Sequence, residues 1–382
     1  MINPDYFYDM LKSHGTDYYT GVPDSLLKSF CAYLSDNSSQ SNHIIAVNEG
    51  AAVSLASGYH LSTGKIPLVY MQNSGIGNAV NPLLSLADND VYQIPMILLI
   101  GWRGEPEVKD EPQHLKQGKV TCALLDAMEI PYIILSDNED EVCGQLEICY
   151  SKINNNISPF ALIVKKDTFA PYDLSVKNTS GSEEFEMTRE DAIDTIICLS
   201  SSDEVFISTT GMASRELYEL REKYSMNHEH DFLTVGSMGH ASSLALAISI
   251  NKPEIRVTCI DGDGAVLMHL GSMAAIGSLK PSNLRHIVLN NGAHDSVGGQ
   301  PTIARNIDLC GIARSAGYEK VFSVKTQKEL HLALKENDGP LFIEVLIRKG
   351  NRKNLGRPET GPLENKESFM RFLNNTNRGK NE

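Results

Sequence analysis

Two short polar motifs in the second half of the sequence each follow an apolar segment. Gly-Asp-Gly occupies positions 262–264, and Asn-Asn occupies positions 290–291. About 25 residues separate them, as expected when each motif ends a strand. An acid and an amide at two strand ends can bind one hard cation, because magnesium prefers oxygen ligands. Glycines also let a diphosphate approach the backbone. The candidate residues are Gly262, Asp263, Gly264 and Asn291.

Other glycine-rich phosphate sites do not fit these segments. A dinucleotide-binding turn needs Gly-x-Gly-x-x-Gly, but Leu267 stands at the third position, and the segment 75–80 also lacks the last glycine. A P-loop needs Ser or Thr after Gly-Lys, whereas Ile66 follows Gly64-Lys65. A plain strand-to-helix turn would explain the first motif alone. It does not explain the asparagine pair that follows at this distance.

A glutamate opens a segment of small residues in the first half. Glu49 follows an apolar segment, and the alanines and glycines of residues 49–64 allow close helix packing that would bury its stem. A glutamate at a helix start is ordinarily a partner of the helix dipole, which would explain Glu49 alone. A carboxyl group shielded from water can also hold and transfer a proton. Glu49 is therefore a candidate acid–base group.

Length and composition set the class of protein. The 382 residues with 41% hydrophobic content suffice for two domains. A net charge of -14 argues against nucleic acid or an anionic membrane as a partner. Seven cysteines without a Cys-x-x-Cys motif argue against a zinc site or a disulfide framework. Without a signal-peptide pattern or a membrane-length apolar stretch, we expect a cytoplasmic protein.

Strands and helix-length segments alternate along both halves, which predicts an α/β protein with two parallel sheets flanked by helices. We place the first domain at residues 1–175, a polar linker at 176–187, the second domain at 188–372 and a frayed, Asn- and Lys-rich tail at 373–382. The predicted strands are 43–47, 67–72, 95–100, 132–135, 160–164, 204–208, 257–260, 285–289 and 341–346.

The motifs resemble those of thiamine diphosphate (ThDP)-dependent decarboxylases. Residues 49–64 match the family pattern E-x-A-A-x-x-x-A-x-G-Y-x-x-x-T-G, and residues 262–291 resemble its ThDP motif. The resemblance implies a pyrimidine-binding and a diphosphate-binding domain, with the cofactor between one subunit's first domain and its partner's second. It therefore implies a homodimer or higher homo-oligomer. A short linker in place of a middle domain points to the compact branch that acts on phosphono- and sulfopyruvate.

The resemblance also implies roles for individual residues. Glu49 would promote the reactive imino form of the cofactor, and magnesium would be bound by Asp263, Asn291 and the backbone carbonyl of Ala293. The implied cofactor-binding residues are Glu49, Thr210, Gly211, Met212, Gly236, Met238, Gly262, Asp263, Gly264 and Asn291. Met238 would wedge the cofactor into a bent conformation. The other candidate catalytic residues are Asp24, Ser25, His294 and Asp295, the last two as proton donors.

Further blocks at 21–27, 70–78, 101–114 and 290–300 extend the resemblance over nearly the whole chain. The implied reaction is magnesium-dependent decarboxylation of 3-phosphonopyruvate to phosphonoacetaldehyde in phosphonate biosynthesis of the 2-aminoethylphosphonate type. A phosphonate needs cationic or donor groups, and the candidates are Arg103, Lys109, His114 and Gln300. Acidic residues in the same loop leave open that its charges pair with one another. Sulfopyruvate decarboxylation, carboligation and an inactive regulatory subunit are the alternatives.

Overall fold

A computed structural model describes residues 1–175 and 185–375 of the chain. Within these residues the chain forms two compact units. The first comprises residues 1–175 with Ser296–Gln300, and the second comprises residues 185–295 and 301–375. Each unit contains a six-stranded parallel sheet flanked by helices, which confirms the predicted α/β class.

The first unit is built around six strands in the spatial order β2-β1-β3-β4-β6-β5. They are β1 (Tyr19–Gly21), β2 (His43–Ile45), β3 (Leu68–Gln72), β4 (Ile97–Gly101), β5 (Tyr132–Ile134) and β6 (Phe160–Val164). The helices of this unit are α1 (Pro4–Ser13), α2 (Lys28–Asn37), α3 (Glu49–Thr63), α4 (Ile76–Pro82), α5 (Pro112–Ala127) and α6 (Glu139–Asn156).

The second unit has the spatial order β11-β12-β10-β9-β7-β8. Its strands are β7 (Val205–Ser208), β8 (Asp231–Leu233), β9 (Val257–Gly262), β10 (Leu284–Asn290), β11 (Lys320–Val324) and β12 (Leu341–Leu346). Its helices are α7 (Arg189–Cys198), α8 (Met212–Lys223), α9 (Ala241–Asn251), α10 (Asp263–Met268), α11 (Gly271–Leu279), α12 (Leu309–Ala316), α13 (Gln327–Ala333) and α14 (Pro362–Asn375).

The two sheets share one topology. When the strands are numbered within their own unit, both sheets have the order second, first, third, fourth, sixth, fifth. The chain reverses its direction across the sheet between the first and third strands, and such a switch point forms a crevice at the carboxyl ends of the strands. The crevices lie between β1 and β3 in the first unit and between β7 and β9 in the second.

Apolar side chains cover both faces of the first sheet. Along β3, Leu68 and Tyr70 belong to one hydrophobic cluster, and Val69 and Met71 belong to another. Successive side chains of a strand point to opposite faces, so β3 is buried on both sides. This explains why the central strands are continuous apolar segments rather than alternating ones.

Within residues 1–175 and 185–375, the structure contains all nine predicted strands and three that the sequence did not reveal. The additional strands are β1, β8 and β11. The strands β1 and β8 have only three residues each, and neither forms a continuous apolar segment that would indicate a buried strand. Most of the predicted linker, residues 176–184 of 176–187, lies outside the described residues. Met187, its last residue, packs in the core of the second unit. Residues 373–375 of the predicted tail complete α14, and the rest lie outside the described residues.

None of the described helices combines the length and the apolar character that a membrane span requires.

Candidate active site

Asp24 lies in the crevice of the first unit, in the turn after β1. It is fully buried, and its carboxylate accepts hydrogen bonds from the Gln72 side chain at 2.7 Å and the Leu26 backbone at 2.9 Å. Any side chain at Gly101 would collide with this carboxylate, so the end of β4 must be glycine. Burial raises the pKa of Asp24 despite these bonds. The carboxyl group can therefore retain a proton at a higher pH than an exposed aspartate.

Glu49 is the first residue of α3. The preceding Asn48 caps the helix by accepting a hydrogen bond from the backbone of Ala51 at 2.8 Å. The Glu49 side chain is buried, and it accepts a 2.8 Å hydrogen bond from the side-chain amide of Asn78. A side chain at Gly75 would collide with the carboxyl group. Burial raises the pKa of Glu49, while the Asn78 bond opposes the rise.

Arg103 connects the loop after β4 with the turn after β1. Its guanidinium donates to both carboxylate oxygens of Asp110, at 2.8 and 2.5 Å, and to the Ser25 hydroxyl at 2.8 Å. The bonds to Asp110 raise the pKa of Arg103. The Ser25 oxygen acts as acceptor here, so its own proton is available for another acceptor. Arg103 and Asp110 therefore form the charge pair within the loop that the sequence left open. The Nη1 atom of Arg103 nevertheless contacts Ser25 outside the loop.

The other two basic candidates differ from Arg103. Lys109 is exposed to solvent. His114 is partly buried near the start of α5, and its Nδ1 atom has no hydrogen-bond partner within the described chain. Burial, reinforced by Arg103, lowers the pKa of His114 to about 4. At neutral pH His114 is therefore an uncharged donor or acceptor rather than a cation.

The crevice of the second unit begins after β7 with the turn 209–211. Gly211 has φ +98°, a backbone conformation that favours glycine, and α8 starts with Met212 directly after it. Thr210 and Met212 are half-buried in the same turn. Backbone N–H groups at such a helix start are suited to a phosphate group.

Asp263 and Asn291 leave neighbouring strands at the same edge of the second sheet. Gly262 on β9 pairs with Leu289 on β10, so the residues that follow start from adjacent positions. Asp263 is buried, and burial raises its pKa to about 6, although the Thr302 hydroxyl donates a hydrogen bond to it. A divalent cation would stabilise this buried carboxylate. Asn291 and Ala293 follow the neighbouring strand β10. The Asp263 carboxylate, the Asn291 amide oxygen and the Ala293 carbonyl would form a ligand set made only of oxygens, which fits magnesium.

Gly264 lies against two other predicted residues. A side-chain carbon at this position would approach His294 to 3.0 Å and Met238 to 3.3 Å. Gly239 has φ +83° and fixes the turn that contains Gly236 and Met238. Burial lowers the pKa of His294 to about 4, so its imidazole is neutral at physiological pH. The structure thus brings His294 and Met238 together with the Gly-Asp-Gly motif.

Two predicted residues of the loop after β10 have opposite environments. Asp295 is held by hydrogen bonds from Asn291, Arg189 and Gly350. Gln300 is fully buried, yet neither its amide oxygen nor its amide nitrogen has a hydrogen-bond partner within the described chain. A buried amide without partners is costly, so Gln300 is suited to a polar ligand.

Sequence reasoning did not assign four residues that contact the predicted ones. They are Gln72, Asn78, Asp110 and Thr302, which contact Asp24, Glu49, Arg103 and Asp263 respectively. The first three lie inside motif blocks, which was a usable signal. Thr302 lies beyond the last block, and nothing in its sequence context distinguishes it from an ordinary loop threonine.

Family models match both halves of the chain. The thiamine pyrophosphate enzyme, N-terminal TPP binding domain, matches residues 4–129, and the thiamine pyrophosphate enzyme, C-terminal TPP binding domain, matches residues 209–345. Thiamine pyrophosphate is another name for ThDP. The two matches include Glu49 and the segment from Gly262 to Asn291. They support ThDP as the cofactor.

Relatives similar to this chain are decarboxylases. Phosphonopyruvate decarboxylase of Streptomyces viridochromogenes is 33% identical, over 94% of this chain and 92% of the relative. Sulfopyruvate decarboxylase of Methanosarcina acetivorans is 28% identical, over 92% and 93%. Sulfopyruvate decarboxylase subunit beta of Methanothermobacter thermautotrophicus is 39% identical, over 39% of this chain and 76% of the subunit. The chain belongs to the family of ThDP-dependent decarboxylases and is a carbon–carbon lyase.

Proposed function

We propose that the chain decarboxylates 3-phosphonopyruvate to phosphonoacetaldehyde and carbon dioxide, with ThDP and magnesium. The observation that carries the substrate assignment is the contact of Arg103 with Ser25, next to the buried Asp24. The cationic group of Arg103, the hydroxyl of Ser25 and the carboxyl group of Asp24 therefore lie at the carboxyl ends of the strands of the first sheet. The relative of 33% identity that bears the name phosphonopyruvate decarboxylase supports the same substrate.

Asp263, Asn291 and the carbonyl of Ala293 would bind magnesium, which would hold the diphosphate of ThDP. Gly211, Gly262 and Gly264 offer backbone positions that a phosphate can approach. Bound ThDP would supply a carbon nucleophile for the keto group and would accept the electrons released with carbon dioxide. The protein's own task is to bind, orient and exchange protons.

Glu49 would hold the proton that the aminopyrimidine ring of ThDP exchanges. Its carboxyl group is suited to this because burial keeps water away and raises its pKa. Asn78 fixes the position of one carboxylate oxygen through its 2.8 Å hydrogen bond. Proton exchange by Glu49 therefore depends both on its carboxyl group and on the burial that keeps water away from it.

The phosphonate group would be bound by Arg103, Ser25 and Gln300. Arg103 retains N–H donors beyond those that Asp110 and Ser25 accept, because a guanidinium has five. The buried amide of Gln300 would gain partners when a polar ligand binds. Lys109 would contribute only long-range attraction, since it is exposed.

Asp24 and His294 are the candidates that would protonate the product. Asp24 is buried with a raised pKa and can carry a proton for donation. His294 is neutral at physiological pH and would act through whichever ring nitrogen carries its proton.

Sulfopyruvate is the second candidate substrate. Asp110 offsets much of the charge of Arg103, and a sulfonate carries one negative charge less than a fully ionised phosphonate. The relative named sulfopyruvate decarboxylase supports this alternative substrate with lower identity.

The proposed place of the reaction is phosphonate biosynthesis. Loss of carbon dioxide from phosphonopyruvate would draw an unfavourable phosphonate-forming step forward.

We propose a homodimer or larger homo-oligomer, in which ThDP binds between the first unit of one subunit and the second unit of its partner. The relative that is named as a subunit supports an assembly.

Cofactor removal tests the proposed chemistry. Exhaustive chelation and dialysis should abolish carbon dioxide release from phosphonopyruvate, and addition of ThDP with magnesium should restore it. Full activity of a verified metal-free and ThDP-free preparation would contradict the proposal.

A further inference from the structure

The side-chain amide of Asn291 is held in one orientation from two sides. Its Nδ2 atom donates a 2.7 Å hydrogen bond to Asp295, and its Oδ1 atom accepts one from the backbone of Ala293 at 3.0 Å. A carboxylate accepts only from the nitrogen, and a backbone N–H donates only to the oxygen. The two contacts therefore specify the same rotamer of the amide.

Asp295 is itself held in place. Its Oδ2 atom accepts from Asn291, from the backbone of Gly350 at 2.9 Å and from Arg189 at 3.4 Å. Arg189 in turn donates to both oxygens of the buried Glu216, at 2.8 and 3.1 Å. A guanidinium held bidentately by a buried carboxylate is a rigid support. The cluster Glu216–Arg189–Asp295–Asn291 thus reaches from α7 and α8 to the end of β10.

We infer that Asp295 is a positioning residue that keeps the amide oxygen of Asn291 available as a magnesium ligand. The inference rests on the proposed magnesium site. Without Asp295, Nδ2 would lose its acceptor, and the amide could turn its nitrogen toward the cation. A nitrogen-bound amide hydrogen repels a cation, whereas the carbonyl oxygen binds it. Asp295 therefore acts through Asn291, rather than as the proton donor that the sequence suggested.

Magnesium binding in the presence of ThDP, measured by calorimetry, tests this without recourse to turnover. Asp295→Ala should weaken binding about 10- to 100-fold, the usual effect of losing a group that orients a metal ligand. Asp295→Asn should weaken binding less than Asp295→Ala, because its amide oxygen can still accept from Asn291 and from the backbone of Gly350. Circular dichroism would verify that each variant is folded.

A double-variant cycle separates positioning from general stability. In an Asn291→Ala background, Asp295→Ala should cause no further loss of magnesium affinity, because its effect passes through Asn291. An equal loss in both backgrounds, or wild-type affinity of Asp295→Ala, would overturn the inference. If the wild-type protein bound no magnesium with ThDP, the proposed function would fail, and this inference with it.

Discussion

The side-chain amide of Asn78 donates a 2.8 Å hydrogen bond to the buried carboxyl group of Glu49. Burial favours the protonated acid, whereas this bond favours the carboxylate. Burial is the larger effect, so Glu49 retains its proton to a higher pH than an exposed glutamate does. A group that must exchange a proton with a cofactor benefits from this shift.

Glu49→Gln should retain the fold and ThDP binding but lose turnover by about a hundredfold or more, the scale of a positioned acid–base group. The amide has nearly the same shape but cannot exchange the proton. The measurement is hydrogen–deuterium exchange at the thiazolium carbon of bound ThDP. Asn48→Ala is a matched control, since it removes the cap of α3, at a cost of about 1 kcal/mol, and leaves the acid. Near-normal exchange in Glu49→Gln would make Glu49 merely structural.

The stability of the cofactor-free protein should reveal the raised pKa of Glu49. An acid whose pKa is raised by folding binds more protons in the folded state, so its contribution to stability is lost as pH rises through the folded pKa. Glutamine stays neutral. The free energy of unfolding of Glu49→Gln relative to wild type should therefore increase as the pH rises above about 4.3, the ordinary glutamate value. Urea denaturation at several pH values measures this, and a constant difference would contradict it.

Arg103→Ala should lower kcat/KM for phosphonopyruvate about 10- to 100-fold, because a charge-assisted contact is lost and Asp110 loses its cationic partner. Residual turnover of pyruvate should fall much less. Lys109→Ala is the matched control from the same loop, and its exposed side chain should matter little. Steady-state kinetics with both substrates test this. Equal effects of the two variants would point to a solvated loop and move the anion site toward His294 and Gln300.

The central strands and the motifs at their ends were predictable from sequence, because buried parallel strands leave continuous apolar segments. The short strands β1 and β8 were not, since three residues are too few to show a period. Glu49, Asp263 and Asn291 were recognisable from their motifs. The pairing of Arg103 with Asp110 was visible only as a mixture of charges, because the sequence does not specify which side chains meet in a loop.

The contacts of Asp295 illustrate the same limit. Its position after the asparagine pair suggests a proton donor, and the sequence gives no sign of its hydrogen bonds with Arg189 and Gly350, which are distant in sequence. Contacts of that range arise from tertiary packing, which local patterns do not encode.

Mixed subunits test the proposed assembly. Glu49→Gln and Asp263→Ala each disable a different unit, so subunit exchange between the two inactive proteins should create some sites with both residues intact. Activity should reappear in the mixture, and light scattering should show at least a dimer. The separately incubated variants are the control. An active monomer at assay concentration would contradict the proposal.

Carbon dioxide release from 3-substituted pyruvates tests the proposed function most directly. Purified protein with ThDP and magnesium should turn over phosphonopyruvate fastest, sulfopyruvate more slowly, and pyruvate about a thousandfold less efficiently or worse, because the site's polar groups would lack partners. Phosphonoacetaldehyde should form in equal amount with the gas. A preference for sulfopyruvate would favour the second candidate, and efficient turnover of pyruvate without a preference for either anion would contradict the proposal.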